Sequence, residues 1–431
     1  MIAPGTRWAR RPALLVTTLL LAASAIAGCA ASSGNSGHQT LTVAAFNPFT
    51  GPDASFGPEM MAGCQAAAHA INAAGGVLTD KIKCQGFDTR GDPADAVTAA
   101  NQMVATTSNL LGVLGPSSDE ANATAPLINA ASIPMFADTG QASFDHTSLK
   151  YFWRLLPADD VKGYAMALYA ISKHYLRAAA VFGNDLGSQS DLPTLLKAYR
   201  QLGGKMVVTQ QIALGQPSYR TEVEQLLAAK PQVIFTEASP QADATYLSEL
   251  NQLGHLVPII GTDATIQPQW LSAVAGAVGK NTLAKYFVAE QPYAPATGPS
   301  WQVYQANLMK SGVSKPAQWS TDSYSMSDYD AVTIMALAAA MAKSTNPAAY
   351  NKLIPEVTNP SPGAVIVHSF AQGLAAIRAG HKISYVGAAG IIDFNQWHNS
   401  TGGFEIAAYL PNGNLKLVTG ITAAQIAPLI K

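Results

Sequence analysis

From residue 41 onward, short apolar runs alternate with longer helix-like stretches. Residues 41–45 (LTVAA) predict a strand, and 56–73 predict an Ala-rich helix that stops at Gly75-Gly76. Residues 81–87 predict the next strand. Asp92 then suits an N-cap and Pro93 the first helical position. Strands at 110–114 and 134–137 flank a helix at 119–131. After Arg154-Leu155-Leu156-Pro157 the count restarts with a helix at 160–174. Strands at 178–182, 206–211, 232–236 and 257–260 then alternate with helices at 192–202, 219–229 and 243–253. Beyond a strand at 286–289 lies a more helical block, with helices at 300–310 and 328–343. The tail from 383 to 417 is β-rich, with glycines marking its turns. The alternation predicts an α/β fold: two βα series of similar size, each a parallel sheet with helices on both faces.

Composition narrows the class. The 431 residues are 48% apolar and only 12% charged, which excludes disorder as the main state and leaves chain enough for two or three domains. The 26 basic and 27 acidic side chains nearly cancel, and no basic block offers a footprint for nucleic acid.

The amino terminus sets the compartment. Arg7, Arg10 and Arg11 precede an apolar run over 13–28, the pattern of a signal peptide over 1–28. The run is short of the roughly 20 residues a spanning helix needs. Ile26-Ala27-Gly28-Cys29 resembles a lipobox, in which Cys29 becomes the diacylated mature N-terminus. An ordinary signal peptide with an incidental cysteine, or an uncleaved anchor, are the alternatives. Residues 29–40 form a Gly/Ser-type tether between the lipidated end and the body. The expected location is extracytoplasmic, held at the cell membrane by the lipid anchor only. If Cys29 carries lipid, Cys64 and Cys84 remain in an oxidising compartment as a disulfide or as two buried thiols.

Signatures of catalysis are missing. The eight histidines are scattered, without H-E-x-x-H or a zinc-type Cys/His set. There is no G-x-S-x-G elbow, and Gly276-Ala277-Val278-Gly279-Lys280-Asn281 lacks the spacing of a phosphate loop. No catalytic residue, metal ligand or cofactor is assigned, and the chain is not expected to be an enzyme. Polar residues at the carboxyl ends of predicted strands remain, where open α/β sheets bind ligands. Phe56 follows the first strand and presents a ring to a cleft or to the core. Ser117 and Ser118 follow the third strand, where hydroxyls and free N–H groups at a helix start suit an anion or simply cap the helix. Thr139, Gly140 and Gln141 follow the fourth, with backbone N–H groups and a glycine that permits close approach. Asp263, in the second series, either pairs with a ligand ammonium or caps a short helix. Hydroxyls from one series and a carboxylate from the other suit a zwitterion.

These segments, in their order, resemble the type I periplasmic solute-binding proteins of ABC importers, in the leucine/isoleucine/valine-binding branch. The resemblance is carried by FTGPDASFG at 49–57, AINAAGGV at 70–77, FDTRGDP at 87–93, GPSS at 115–118, IIGTD at 259–263, YDAV at 329–332 and YVGAAGIIDF at 385–394. It implies two Rossmann-like lobes joined by a three-crossing hinge near 157, 289 and 398. Lobe one is then 41–157 plus 290–398, and lobe two is 158–289 plus 399–431. It also implies a small polar ligand, an amino acid or related compound, held between closing lobes and passed to an ABC permease and ATPase complex by a monomer. Ser118, or Ser117, then holds the ligand carboxylate with Gly140, and Asp263 holds the ammonium under Phe56. Two departures stand out: Gln141 occupies a threonine position, and Glu237-Ala238-Ser239-Pro240 replaces an aromatic loop and adds Glu237 as a second acid. A ligand sensor reporting to a signalling partner would use the same fold.

Overall fold

The computed structural model describes residues 39–294, 296–400, 402–426 and 428–430; the expected signal peptide over 1–28, Cys29 and all but the last two residues of the expected tether lie outside them. Two sheets organise the chain. The first has the order β2-β1-β3-β4-β5 and is parallel throughout, with β1 (Thr40–Asn47), β2 (Lys81–Asp88), β3 (Leu110–Ser117), β4 (Met135–Asp138) and β5 (Phe152–Trp153). The second takes β6 (Arg177–Gly183), β7 (Lys205–Ile212), β8 (Val233–Glu237), β9 (Ile259–Gly261) and β10 (Phe287–Pro292) in parallel. A small third sheet joins β11 (Val365–Val367), β12 (Ile383–Gly387) and β13 (Gly390–Ile391). Two late strands, β14 (Phe404–Tyr409) and β15 (Leu415–Ile421), then return antiparallel to the edge of the second sheet beside β10. The second sheet is therefore mixed, where the βα rhythm alone predicts a parallel one. Antiparallel strands can be joined by a tight hairpin, which leaves no long helical crossover to read in the sequence.

The strands are central because they are apolar on both faces. Every residue of β3 and β8 is buried, as parallel strands covered by helices on each side require. Helix Ser323–Ala342 is the spine of the first half and is buried from Ser323 through Ala340. Its apolar run at 331–342 marks it in the sequence. Its true start lies further back, where Asp322 caps it by accepting the N–H of Ser325 at 2.7 Å. It packs against helix Phe56–Ala73 so closely that a Cβ on Gly63 would lie 2.2 Å from the Ser325 carbonyl oxygen. Gly63 is what lets the two backbones approach. Helices Pro268–Val278, Lys280–Tyr286 and Phe370–Arg378 have no counterpart among the predicted elements.

The chain passes three times between the second sheet and the half of the molecule built on the first and third sheets: after β5, after β10 and between β13 and β14. β10 continues to Pro292, past the crossing expected near 289. The first and last passages are pinned together. The Arg154 N–H donates to the His398 carbonyl at 3.0 Å, and the Ser400 N–H donates to the Arg154 carbonyl at 2.9 Å. The Arg154 guanidinium, 1% exposed, donates to Asn399 Oδ1, the Thr139 and Gln141 carbonyls, and Asp145 Oδ1 at 2.5 Å. Cys64 and Cys84 are disulfide-bonded, with Cα atoms 6.1 Å apart. The bond fastens helix Phe56–Ala73 to β2 at a sequence separation of 20, a loop whose closure is worth about 3 kcal/mol. Among the described residues no helix is long and apolar enough to cross a membrane.

Candidate functional site

The carboxyl ends of both sheets face a common cavity of about 90 Å³. That is room for about six to nine waters, or for a small solute of a similar number of heavy atoms. The first half of the chain supplies Asp53, Phe56, Ser117, Ser118, Asp119, Asp138 and Gly140; the second supplies Asp159, Lys162, Asp185, Glu237 and Asp263. Tyr324 and Trp270 also reach the wall. The halves touch across it. The Gly187 N–H donates to Asp119 Oδ1 at 2.5 Å, and the Tyr324 hydroxyl donates to Asp263 Oδ2 at 2.8 Å.

The sequence-predicted residues divide. Phe56, the first residue of its helix, meets Tyr324 edge-on with ring centroids 5.8 Å apart. Ser117 ends β3, and Ser118 opens helix Ser118–Ala130 with its hydroxyl donating to Thr139 Oγ1 at 3.2 Å. Gly140 lies on the wall, and its lack of a side chain is required: a Cβ would lie 1.6 Å from Asp159 Oδ1. Thr139 and Gln141 are not on the wall. Thr139 is buried behind Ser118, while the Gln141 amide donates to the Ser118 carbonyl at 2.8 Å and accepts from Asn122 Nδ2 at 2.8 Å. They hold the serine in place and do not face the cavity. Glu237, the last residue of β8, does reach it, because helix Pro240–Gln252 begins only after a short turn.

Asp263 is also on the wall, but not as an open acceptor. Lys162 Nζ, from the first turn of helix Asp159–Ser172, lies 2.9 Å from Asp263 Oδ1, 3.1 Å from Asp159 Oδ1 and 3.7 Å from Asp191 Oδ2. Burial opposes the lysine's charge, yet the three carboxylates outweigh it and hold the ammonium well above its usual range. The ammonium expected from a ligand at Asp263 is thus supplied by the protein itself. Nothing in the sequence marks Lys162, since one base in the first turn of an amphipathic helix reads as surface charge. Asp53 sits inside the 49–57 segment that the sequence singles out and Asp119 directly follows the 115–118 segment, whereas Asp185 follows β6 in a turn without any motif.

The remaining acids crowd one another. Burial, reinforced by Asp119, Asp185, Glu120 and Glu237, pushes the Asp53 carboxyl up to about 8. Burial and then Asp185 raise Asp119 to about 7. Burial raises Glu237 to about 7, against a lowering by Lys162. Asp185 is held in place by Ser188, whose N–H and hydroxyl donate to it at 2.7 and 2.9 Å. Among the described residues, no group of three or more His, Cys, Asp or Glu side chains is placed to hold a metal ion.

Two lobes with a cleft at their strand ends, bridged by three passages, are the architecture of a solute-binding protein. The periplasmic binding protein family matches residues 40–369, and the chain belongs to it. The Leu/Ile/Val-binding protein BraC3 of Rhizobium johnstonii is 25% identical over 246 residues, covering 56% of this chain and 66% of that protein. The alignment thus spans just under two thirds of that relative's length. Among solved structures, the leucine-binding protein LivK of Thermotoga maritima superposes with a TM-score of 0.71 at 18% identity, over 90% of this chain and 99% of that one. A solute-binding protein of R. palustris in complex with 4-hydroxybenzoate superposes with a TM-score of 0.70 at 16% identity, over 89% and 97%. The fold is shared across dissimilar ligands, so the cavity wall and not the fold must choose the solute.

Proposed function

We propose that this chain is an extracytoplasmic solute-binding lipoprotein, anchored through Cys29, that captures an amino acid or related small polar compound between its lobes and delivers it to an ABC permease and its ATPase. The observation that carries the reading is the cavity at the strand ends of the two sheets: Ser117, Ser118 and Gly140 from the first half line it together with carboxylates from the second. Hydroxyl and backbone donors at the start of helix Ser118–Ala130 suit a ligand carboxylate, and the opposite wall suits an ammonium. Cross-cleft bonds from Gly187 to Asp119 and from Tyr324 to Asp263 close the lobes over whatever is bound. The names of the relatives, which are Leu/Ile/Val-binding or amino-acid-binding proteins, support the same solute class. Equilibrium dialysis against a mixture of radiolabelled amino acids, with Ser118→Ala as control, tests it. Retention of at least one amino acid that the variant releases is the expected result. Retention of none, by either protein, sinks the amino-acid reading.

A further inference from the structure

We propose that the solute of this cleft is an amino acid with a cationic side chain, bound with its distal charge among Asp53, Asp185 and Glu237. The inference rests on the solute-binding reading above and narrows it. Seven carboxyl groups and one ammonium line the cavity. That ammonium, on Lys162, lies within 3.7 Å of Asp159, Asp191 and Asp263, and its single charge cannot balance all seven carboxyl groups once they ionise. Asp53, Asp185 and Glu237 belong to three different strand-end loops, two in one lobe and one in the other, so the surplus negative charge is brought together only when the lobes meet. Like charges gathered this way repel unless a cation enters or protons are taken up.

Two further features point to what enters. Asp159 is 2% exposed, lines the cavity, and leaves its Oδ2 without a hydrogen-bond partner. It stands beside Gly140, whose carbonyl accepts the Asp159 N–H at 2.7 Å. An α-carboxylate at Ser118 and Gly140 would therefore place its α-ammonium near the vacant lone pairs of Asp159, and not at Asp263. The rings of Phe56 and Tyr324, edge-on to one another, also line the cavity. Aromatic rings together with carboxylates favour an organic cation over an aliphatic side chain. A branched aliphatic side chain would instead have to strip water from these acids with no charge to return, which is costly.

Titration calorimetry of the purified protein at pH 8 and low salt, with lysine, arginine, leucine, putrescine and calcium chloride, tests this. Lysine or arginine should bind on the order of 10- to 100-fold more tightly than leucine, the value of one buried charge-assisted contact. Glu237→Gln and Asp185→Asn should each remove much of that preference while leaving the unfolding midpoint of the unliganded protein unchanged or raised. Leucine binding as tightly as the basic amino acids overturns the inference and leaves the solute-binding reading intact. Putrescine binding more tightly than either overturns the amino-acid part, and calcium alone producing heat overturns the organic cation. No heat from any of the five overturns the inference together with the reading beneath it.

Discussion

Two buried cations, only a few residues apart in sequence, have opposite surroundings. Arg154 at the hinge donates to a carboxylate, an amide oxygen and two carbonyls, and Asn399 in turn donates to the Phe144 and Asp145 carbonyls, so the nest is balanced. Lys162 in the cleft faces three carboxylates, and Asp159 Oδ2 and both Asp191 oxygens lack hydrogen-bond partners. A buried charge whose partners are matched in number and geometry is architecture, because the desolvation of each group is repaid locally. A buried charge outnumbered by its partners leaves acceptors over, and the one on Asp159, which lines the cavity, is placed where a ligand would meet it. Planarity explains the assignment of residues: a guanidinium can satisfy several acceptors in fixed directions, whereas an ammonium is a compact point charge.

The contrast can be broken experimentally. Arg154→Ala should have the largest effect, because it strands Asp145 and the Thr139 and Gln141 carbonyls between two hinge passages. A loss of about 3–5 kcal/mol is expected in denaturant unfolding, and it should change less between pH 5.5 and pH 8 than the loss at Lys162, because only one carboxyl, that of Asp145, is freed. Lys162→Met should cost less, about 1–3 kcal/mol, with a larger loss at pH 8 than at pH 5.5. At the lower pH the freed carboxyl groups can take up protons in place of the lysine; an equal loss at both values would contradict the picture of an overfilled nest.

The unliganded wild type should itself lose stability with rising pH. Asp53, Asp119 and Glu237 have folded-state values of about 8, 7 and 7, above the ordinary range of unfolded carboxyl groups near 4. Groups raised in this way favour the folded state while protonated, and their contribution is lost as pH climbs from about 4 through about 8. A thermal midpoint that falls by a few degrees between pH 5.5 and pH 8.5, and recovers on ligand binding, is the expected result. The smallest effect should come from Thr139→Val. It removes the acceptor for the Ser118 hydroxyl and for the Gln141 N–H, and should weaken ligand binding by about 0.5–1.5 kcal/mol with a smaller change in the unfolding midpoint than at Arg154 or Lys162.

Much of the fold is legible in the chain. Helix Phe56–Ala73 and the Asp92-Pro93 start of helix Pro93–Thr106 follow from pattern and capping, and Asp92 indeed accepts the N–H groups of Ala94 and Asp95. The strand ends that carry Ser117, Ser118, Gly140, Glu237 and Asp263 are equally visible, because parallel βα units put their loops on one side. The antiparallel pair β14 and β15 is less so, since residues 404–421 join the second sheet only after the chain has built most of the first lobe.

The sequence by itself therefore determined the class of architecture and which loops would face the cleft, for these follow from local period and punctuation. Only the tertiary structure decided the charge of the cleft. Lys162 and Asp263 stand 101 residues apart, and Asp53 and Glu237 are further apart still. Electrostatic interaction depends on distance and burial in space, and neither can be read from positions along a chain. Whether an acid awaits a ligand or already holds a lysine is settled only when the strands bring their ends together.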